Sequence, residues 1–183
     1  RDVKLSKDRV VGNRNFITKI WSANNFLNLN KCKLTKKINL KNIKLPANQW
    51  IFNEFLETKN KTTKHIEDFR FDEASRVIYK FVWHSYCDWY LEFLKPIFNS
   101  KNKSKIEEAR NFSSFMMSNI LKILHPFIPF FTETVWGNNK YNKFYKSPLI
   151  QAEWAEIKKQ SNFNKNHKDI SNIIEIISNI RST

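Results

Sequence analysis

The feature of this sequence best suited to chemistry is a single aromatic residue set in a polar helix face. Residues 7–29 fit a helix, and at about 100° per residue Phe26 falls in the middle of its polar side. Its neighbours on that side are Arg14, Asn15, Thr18, Lys19, Ser22 and Asn25. Such a ring can stack on an unpaired base, while amides read base edges and cations hold phosphates. The pattern predicts a surface for single-stranded nucleic acid; the alternative is that Phe26 packs against the 31–45 loop or a neighbouring domain.

A second group of reactive side chains lies on one stripe of a later helix. His84, Asp88 and Glu92 follow one another at four-residue spacing. Such a set could bind a metal or exchange protons, but without a partner motif a hydrogen-bonded polar seam is favoured. Cys87 is interpreted as a small buried apolar residue rather than a nucleophile. Because the sequence has no GxGxxG, P-loop, HExxH or GxSxG motif, no complete active site is predicted.

The elements that position these residues are helices joined by short loops. The predicted helices are 7–29, 47–69, 73–97, 104–125, 129–137 and 166–181. A lysine-rich stretch without clear period, 31–45, is interpreted as a basic linker loop. Residues 138–153 are predicted to be irregular, with a short extended piece at Leu149–Gln151. Since no stretch alternates convincingly with period two, the predicted fold class is an all-α helical bundle.

Residue types at the helix ends predict where individual helices begin and stop. Asp72 is the expected N-cap of helix 73–97, and Pro96 bends or ends that helix. Its centre is apolar nearly all round, so it is predicted to be the buried central helix. Ser104 and Glu107 have the spacing of a capping box for the helix that follows.

The composition favours some classes of function and argues against others. The chain has 183 residues and a formal net charge of +15, which is typical of nucleic-acid-binding domains. The alternative is that much of this charge is a lysine- and asparagine-rich solvated surface. The two cysteines cannot form a disulfide framework or a zinc site alone, and two glycines argue against Gly-rich phosphate loops. DNA binding through loop 31–45 is disfavoured because nothing resembles a recognition helix.

The ends and the hydropathy of the chain carry two further expectations. No uncharged apolar run reaches the roughly 18 residues of a membrane span, and no signal peptide opens the chain. The first residue is Arg1 rather than Met. We therefore expect a piece of a longer protein that is not inserted in a membrane.

Several segments, taken in order, resemble the anticodon-binding region of the valyl-tRNA synthetase family. The most specific is FVWHSYCDWYLEFLKP at residues 81–96, which fits the pattern FVWH-x-x-CDWYLE-x-x-KP. LKILHPFIPFFTETVW at 121–136 resembles a segment shared by several class I synthetases, and SPLIQAEW at 147–154 also matches in position. The resemblance spans essentially the whole chain.

The resemblance implies an anticodon-binding bundle of the class Ia type over residues 1–155 and a C-terminal connecting helix over 156–183. The longer protein would be a cytoplasmic valine–tRNA ligase that uses ATP and Mg²⁺ and binds tRNA(Val). Its catalytic motifs would lie in an upstream domain, so this stretch itself would need no cofactor and would carry no active site. The alternative is a non-enzymatic helical-bundle module that binds proteins through helices 73–97 and 166–181.

The resemblance also assigns an anticodon-binding role to individual positions. Valine codons read GUN, so a valine anticodon always has A in the middle and C at its 3′ end. Family members commonly read NKLWNA-x-RF where this chain reads TKIWSANNF at residues 18–26. Asn25 thus replaces an Arg and can bond a base but cannot pair with phosphate. The expected tRNA-binding residues are Lys4, Arg14, Asn15, Lys19, Asn25 and Phe26.

Overall fold

A computed structural model describes residues 6–155 and 163–182, and within them every regular element is helical. The all-α fold class is therefore confirmed. The helices are α1 (Lys7–Leu29), α2 (Pro46–Glu67), α3 (Phe71–Lys80), a π-helical segment (Phe81–Tyr90), α4 (Leu91–Phe98), α5 (Lys103–Leu124), α6 (Pro129–Asn138), α7 (Tyr141–Tyr145) and α8 (Asn164–Ser182). No helix of the described part is long and apolar enough to cross a membrane.

Helix α1 has the bounds that its hydrophobic period predicts. The Ser6 side chain caps it by accepting a hydrogen bond from the Arg9 backbone N–H at 3.3 Å. Ile20, Ala23 and Leu27 are buried on one side of the helix. The opposite side remains available for the polar residues, as the helical wheel requires.

The central helix runs without interruption through α3, the π-helical segment and α4. Its start differs from the prediction, because Arg70 occupies the N-cap position and Asp72 lies in the first turn. A carboxylate in the first turn still interacts favourably with the positive N-terminal end of the helix dipole. Pro96 lies inside α4, which ends two residues later at Phe98. The helix was predicted to be buried, and this holds for one side only: Tyr86 and Tyr90 are buried, whereas His84 is exposed.

Three other local predictions need correction. Residues 138–153, expected to be irregular, contain the short helix α7 (Tyr141–Tyr145). Helix α5 is capped by Asn102, whose Oδ1 accepts from the Lys105 N–H at 3.0 Å, so Ser104 is not the N-cap of a capping box. Leu149–Gln151 forms a 3₁₀ turn rather than an extended piece. At α5 a neighbouring Asn supplies the cap, and in the 3₁₀ turn the Pro148 carbonyl accepts a hydrogen bond from the Gln151 N–H at 3.2 Å.

The basic loop 31–45 includes a 3₁₀ turn at Leu40–Asn42, and a partly buried polar network fixes its end. Oε1 of Glu108 on α5 accepts from the backbone N–H groups of Lys44 and Leu45 at 3.1 and 2.9 Å, and from Asn48 Nδ2 at 3.0 Å. Oδ1 of Asn48 in turn accepts from the Tyr90 hydroxyl at 2.9 Å. A single connected network therefore joins the loop, α2, α5 and the π-helical segment.

Helix α8 packs along α2 through polar contacts. Asn166 Nδ2 donates to Gln49 Oε1 at 2.6 Å, and His167 Nε2 lies 2.8 Å from Glu54 Oε1. The Ser85 hydroxyl donates to the other oxygen of the Glu54 carboxylate at 3.1 Å. Residues 156–162, where the predicted connecting segment begins, lie outside the described residues, and the division at 155 stays a prediction.

Replacing Asn48 should show how much this buried network stabilises the fold. Asn48 is 0 % exposed, so Asn48→Ala leaves the Tyr90 hydroxyl without an acceptor and removes one donor from Glu108. We expect the free energy of unfolding to fall by about 3 kcal/mol, since each buried polar group left unpaired costs about 1–3 kcal/mol. Urea unfolding followed by circular dichroism measures it.

The matched control is Asn60→Ala, an exposed asparagine on the same helix, which should change stability by less than about 0.5 kcal/mol. If the two variants unfold at the same urea concentration, the network does not stabilise the fold.

Candidate nucleic-acid interface

The polar side of α1 divides into two adjacent stripes. Arg14 and Asn25 lie on the outer stripe and are exposed to solvent. Asn15, Lys19 and Phe26 lie on the inner stripe, which faces the π-helical segment and α4; of these, Asn15 is exposed while Lys19 and Phe26 are half-buried. Lys4, the remaining predicted binding residue, lies outside the described residues. The structure thus brings five of the six predicted residues onto one side of one helix.

Lys19 is held by the π-helical segment rather than pointing freely into solvent. Its Nζ donates to Asp88 Oδ1 at 2.6 Å and lies 4.0 Å from the centroid of the Trp83 ring. The side chain is 26 % exposed. An ion pair combined with a cation–π contact fixes the position of this ammonium group and balances its charge.

The π-helical geometry is what places Trp83 and Asp88 on the same side. Positions five apart in an α-helix are separated by about 140° around the axis and point away from each other. In a π-helix the hydrogen bonds connect residues five apart, so these positions lie one turn above each other. Lys19 can therefore contact both residues, and π-helical turns are often found at functional sites.

Phe26 is half-buried and packs against Phe98 of α4, with ring centroids 6.0 Å apart. One part of the ring thus contacts the bundle while another part lines a surface pocket. The alternative named the 31–45 loop or a neighbouring domain as the packing partner, whereas the ring contact described is with α4. The ring is held in place and remains able to stack on a further group.

The pocket beside Phe26, which we call the Phe26 pocket, has a volume of about 220 Å³. One wall comes from α1 and the other from the π-helical segment and α4. Its lining residues are Lys19, Ser22, Ala23, Phe26, Cys87, Leu91, Glu92 and Lys95. A neighbouring cavity of about 470 Å³ shares Cys87 and Glu92 with it and is lined further by Asp88, Trp89 and Arg181.

The predicted polar seam forms only in part. His84 Nδ1 lies 3.3 Å from Asp88 Oδ2, as expected for residues four apart. Glu92, by contrast, pairs with Lys95, whose Nζ lies 2.6 Å from Oε1. Among the described residues, no three His, Cys, Asp or Glu side chains come together in a way that could hold a metal.

Lys95 and the pocket role of Glu92 were missed by the sequence reasoning. An α-helical wheel assigns Glu92 to a stripe with His84 and Asp88, and gives no reason to place it opposite Phe26. The three-residue separation of Glu92 and Lys95 could have indicated their surface ion pair, but it gives no indication of the pocket.

Cys87 lines both cavities as a neutral thiol. Burial raises its pKa to about 12, while the nearby Lys19 ammonium acts in the opposite direction. Burial also raises the pKa of the Cys32 thiol to about 11. Both side chains are therefore protonated near neutral pH, in agreement with the interpretation of Cys87 as an apolar residue.

Comparison with known proteins shows which protein family the chain belongs to. Residues 48–183 match the family described as the anticodon-binding domain of tRNA ligase, and the chain belongs to that family. The match begins after α1, so α1 lies outside it.

Several valine–tRNA ligases have similar sequences. The chain is 45% identical to the valine–tRNA ligase of Pelagibacter ubique over 99% of its length, and 38% identical to that of Brucella suis over 100%. The enzyme of Caulobacter vibrioides is 37% identical over the same span. In each case the chain spans 20% of the relative's length. These alignments include α1.

Alkylation of the two thiols tests whether Cys87, which lines both cavities, is buried. With pKa values of about 12 and 11, the thiolate fraction at pH 8 is far below that of an unfolded chain. We expect native protein to react with iodoacetamide at least about 100-fold more slowly than protein unfolded in urea, and the native rate to rise tenfold per pH unit. Mass spectrometry assigns the reacting residue, and Cys32→Ser isolates Cys87. Native and unfolded rates within tenfold of each other would contradict the described burial.

Proposed function

We propose that this chain is the anticodon-binding domain of a valine–tRNA ligase and that the α1 face binds the anticodon of tRNA(Val). The observation that carries the proposal is the Phe26 ring, which is anchored on Phe98 and lines a surface pocket on the polar side of α1. An accessible aromatic ring stacks on unpaired bases, each stack being worth about 1–3 kcal/mol, and exposed cations such as Arg14 are available for phosphate. The similarity to valine–tRNA ligases supports the choice of tRNA.

The proposed division of work follows from the two stripes of α1. On the outer stripe, Arg14 is exposed and can pair with phosphate, and Asn25 can bond a base edge. On the inner stripe, Asn15 offers an amide and Phe26 offers a stacking surface. Because Asp88 balances the charge of Lys19, we assign Lys19 to positioning the rim of the pocket rather than to phosphate.

The proposed reading of the anticodon involves its middle A and its 3′ C, which all valine anticodons share. The first anticodon base varies among these tRNAs, so a domain that serves all of them must leave it unread. Unpaired loop bases expose their hydrogen-bonding edges, and one good base contact gives about 1–3 kcal/mol of discrimination. Two contacts of this kind suffice to prefer a valine anticodon.

Aminoacylation itself is assigned to the rest of the longer protein, in the cytoplasm. ATP and Mg²⁺ would be held by an upstream catalytic domain. The contribution of this domain is to fix the tRNA, which lowers the barrier to reaction by holding the reactants in a productive geometry. A protein-interaction module, the alternative from the sequence, has no comparable support.

Substitution of Phe26 tests the proposed stacking. Phe26→Ala should weaken binding of a valine anticodon stem-loop by about 1–3 kcal/mol, and Phe26→Leu should lose most of the same energy although it keeps an apolar contact with Phe98. Fluorescence anisotropy with labelled stem-loops measures the affinity, and a stem-loop with the A and C exchanged measures the discrimination.

The matched control for Phe26 is Phe130→Ala, which removes a ring that is 89 % exposed on α6 and should leave RNA affinity unchanged. Equal binding of the valine and exchanged stem-loops by the unmodified chain would overturn base reading. Equal affinities of Phe26→Leu and the unmodified chain would overturn stacking on this ring.

A further inference from the structure

One end of the bundle brings three helices together. The ring of Phe26, near the end of α1, contacts the ring of Phe98, the last residue of α4. Just after α1, the Asn30 carbonyl accepts a hydrogen bond at 2.7 Å from Nε of Arg110, which lies in the first half of α5. The C-terminal ends of α1 and α4 therefore lie beside the first half of α5.

Positive charge is concentrated at this end. Residues 31–45 follow α1, and residues 99–108 run from the end of α4 into α5. The two segments contain two carboxylates, Glu107 and Glu108, and nine lysines, all of them exposed. These lysines, which we call the lysine-rich end, are Lys31, Lys33, Lys36, Lys37, Lys41, Lys44, Lys101, Lys103 and Lys105. Their mutual repulsion favours binding of a polyanion that neutralises it.

The two carboxylates leave most of this charge unbalanced. Glu108 accepts hydrogen bonds from backbone N–H groups of the loop and from Asn48. Glu107 pairs with Lys36 at 2.9 Å, but the two side chains are 71 % and 65 % exposed, so water and salt weaken this pair. Among the residues that the structure describes, none of the other eight lysines forms an ion pair. Their charges are therefore available to an external anion.

The backbone that carries the loop lysines is fixed to the bundle. Cys32 and Ile43 are buried in the core, and each has a lysine directly beside it in sequence. The Thr35 N–H donates to Oδ1 of Asn111 on α5 at 3.2 Å. A segment that is anchored in this way loses less entropy on binding than a free loop.

The residue types at this end fit the backbone of paired RNA better than unpaired bases. Neither segment contains an aromatic residue, so the surface offers no ring on which an unpaired base could stack. An RNA helix stacks its own bases and presents its phosphates to the outside. Lysine ammonium groups bind phosphate as point charges and carry no information about base sequence.

We propose that the lysine-rich end binds the phosphate backbone of the paired stem next to the anticodon loop, independently of base sequence. This inference rests on the proposed function, which assigns the loop bases to the α1 face. The two surfaces adjoin, because Asn30 Nδ2 donates to the Phe26 carbonyl at 2.9 Å and Lys31 follows directly. A stem-loop whose unpaired bases contact α1 can therefore place its stem on the lysines.

The test compares two double variants of the full 183-residue chain. Lys37→Gln/Lys41→Gln removes two charges from the lysine-rich end, and the matched control Lys61→Gln/Lys64→Gln removes two exposed charges from the last part of α2. At 1.5 Å per residue, Lys61 lies roughly 22 Å along α2 from Pro46, about twice the Debye length in 0.1 M salt.

Three RNAs are titrated at salt concentrations from about 50 to 200 mM, a range over which phosphate contacts weaken steeply. They are the valine anticodon stem-loop, the stem-loop with A and C exchanged, and an unpaired strand of equal length. Fluorescence anisotropy gives the affinities, and circular dichroism verifies that each variant is folded.

We expect Lys37→Gln/Lys41→Gln to weaken both stem-loops by the same factor. The slope of log affinity against log salt should become shallower by about 2, because each lost phosphate contact contributes about 0.9. The loss of affinity should therefore be roughly tenfold larger at 50 mM than at 200 mM salt. The unpaired strand should lose less, and the control should keep the slope of the unmodified chain with every RNA.

Equal slopes in Lys37→Gln/Lys41→Gln and in the control would overturn the stem contact and identify these lysines as a solvated surface. A larger loss for the unpaired strand than for the stem-loops would overturn the assignment to paired RNA. Equal affinity of the unmodified chain for the valine and exchanged stem-loops would instead overturn the proposed function, and that comparison does not depend on the lysine variants.

Discussion

The π-helical segment Phe81–Tyr90 is the constraint on which the arrangement of the bundle depends. Its wider turn places Trp83 and Asp88 one above the other, and Lys19 of α1 binds to both. On the buried side of the same segment, the Tyr90 hydroxyl reaches Asn48 of α2. Through Asn48 the contact continues to Glu108 of α5. The segment therefore fixes α1 on its exposed side and α2 and α5 on its buried side.

This constraint shapes the chemistry of the candidate interface. A net charge of +15 favours RNA in general but carries no information about sequence. The inner stripe adds what charge alone lacks, because an ion pair holds Lys19 and a ring contact anchors Phe26 beside a small pocket. Side chains whose positions are fixed before binding lose little entropy when RNA arrives. In the proposed function, base stacking therefore belongs to Phe26 and general affinity to exposed cations such as Arg14.

Hydrophobic periodicity was sufficient to predict the long helices and the polar face of α1, because burial of residues such as Ile20 and Leu27 imposes the period. It missed the five-residue helix α7, which is too short to show a period. Helix ends were predicted less well, since several residues near an end can cap it, as Asn102 does in place of Ser104. The contact of Lys19 with the central helix could not be predicted, because a helical wheel assumes 3.6 residues per turn. The pocket role of Glu92 depends on packing between helices distant in sequence, which no local pattern encodes.

The most direct test of this account is the map of amide chemical-shift changes in the isotopically labelled chain upon titration with a valine anticodon stem-loop. The account predicts that the largest changes fall in residues 15–26 of α1 and in residues 87–95 of the π-helical segment and α4. It further predicts that the exposed apolar stripe of α8, which contains Ile173, Ile176 and Ile180, remains unperturbed. Changes concentrated on α8 or α6, with 15–26 and 87–95 unaffected, would contradict it.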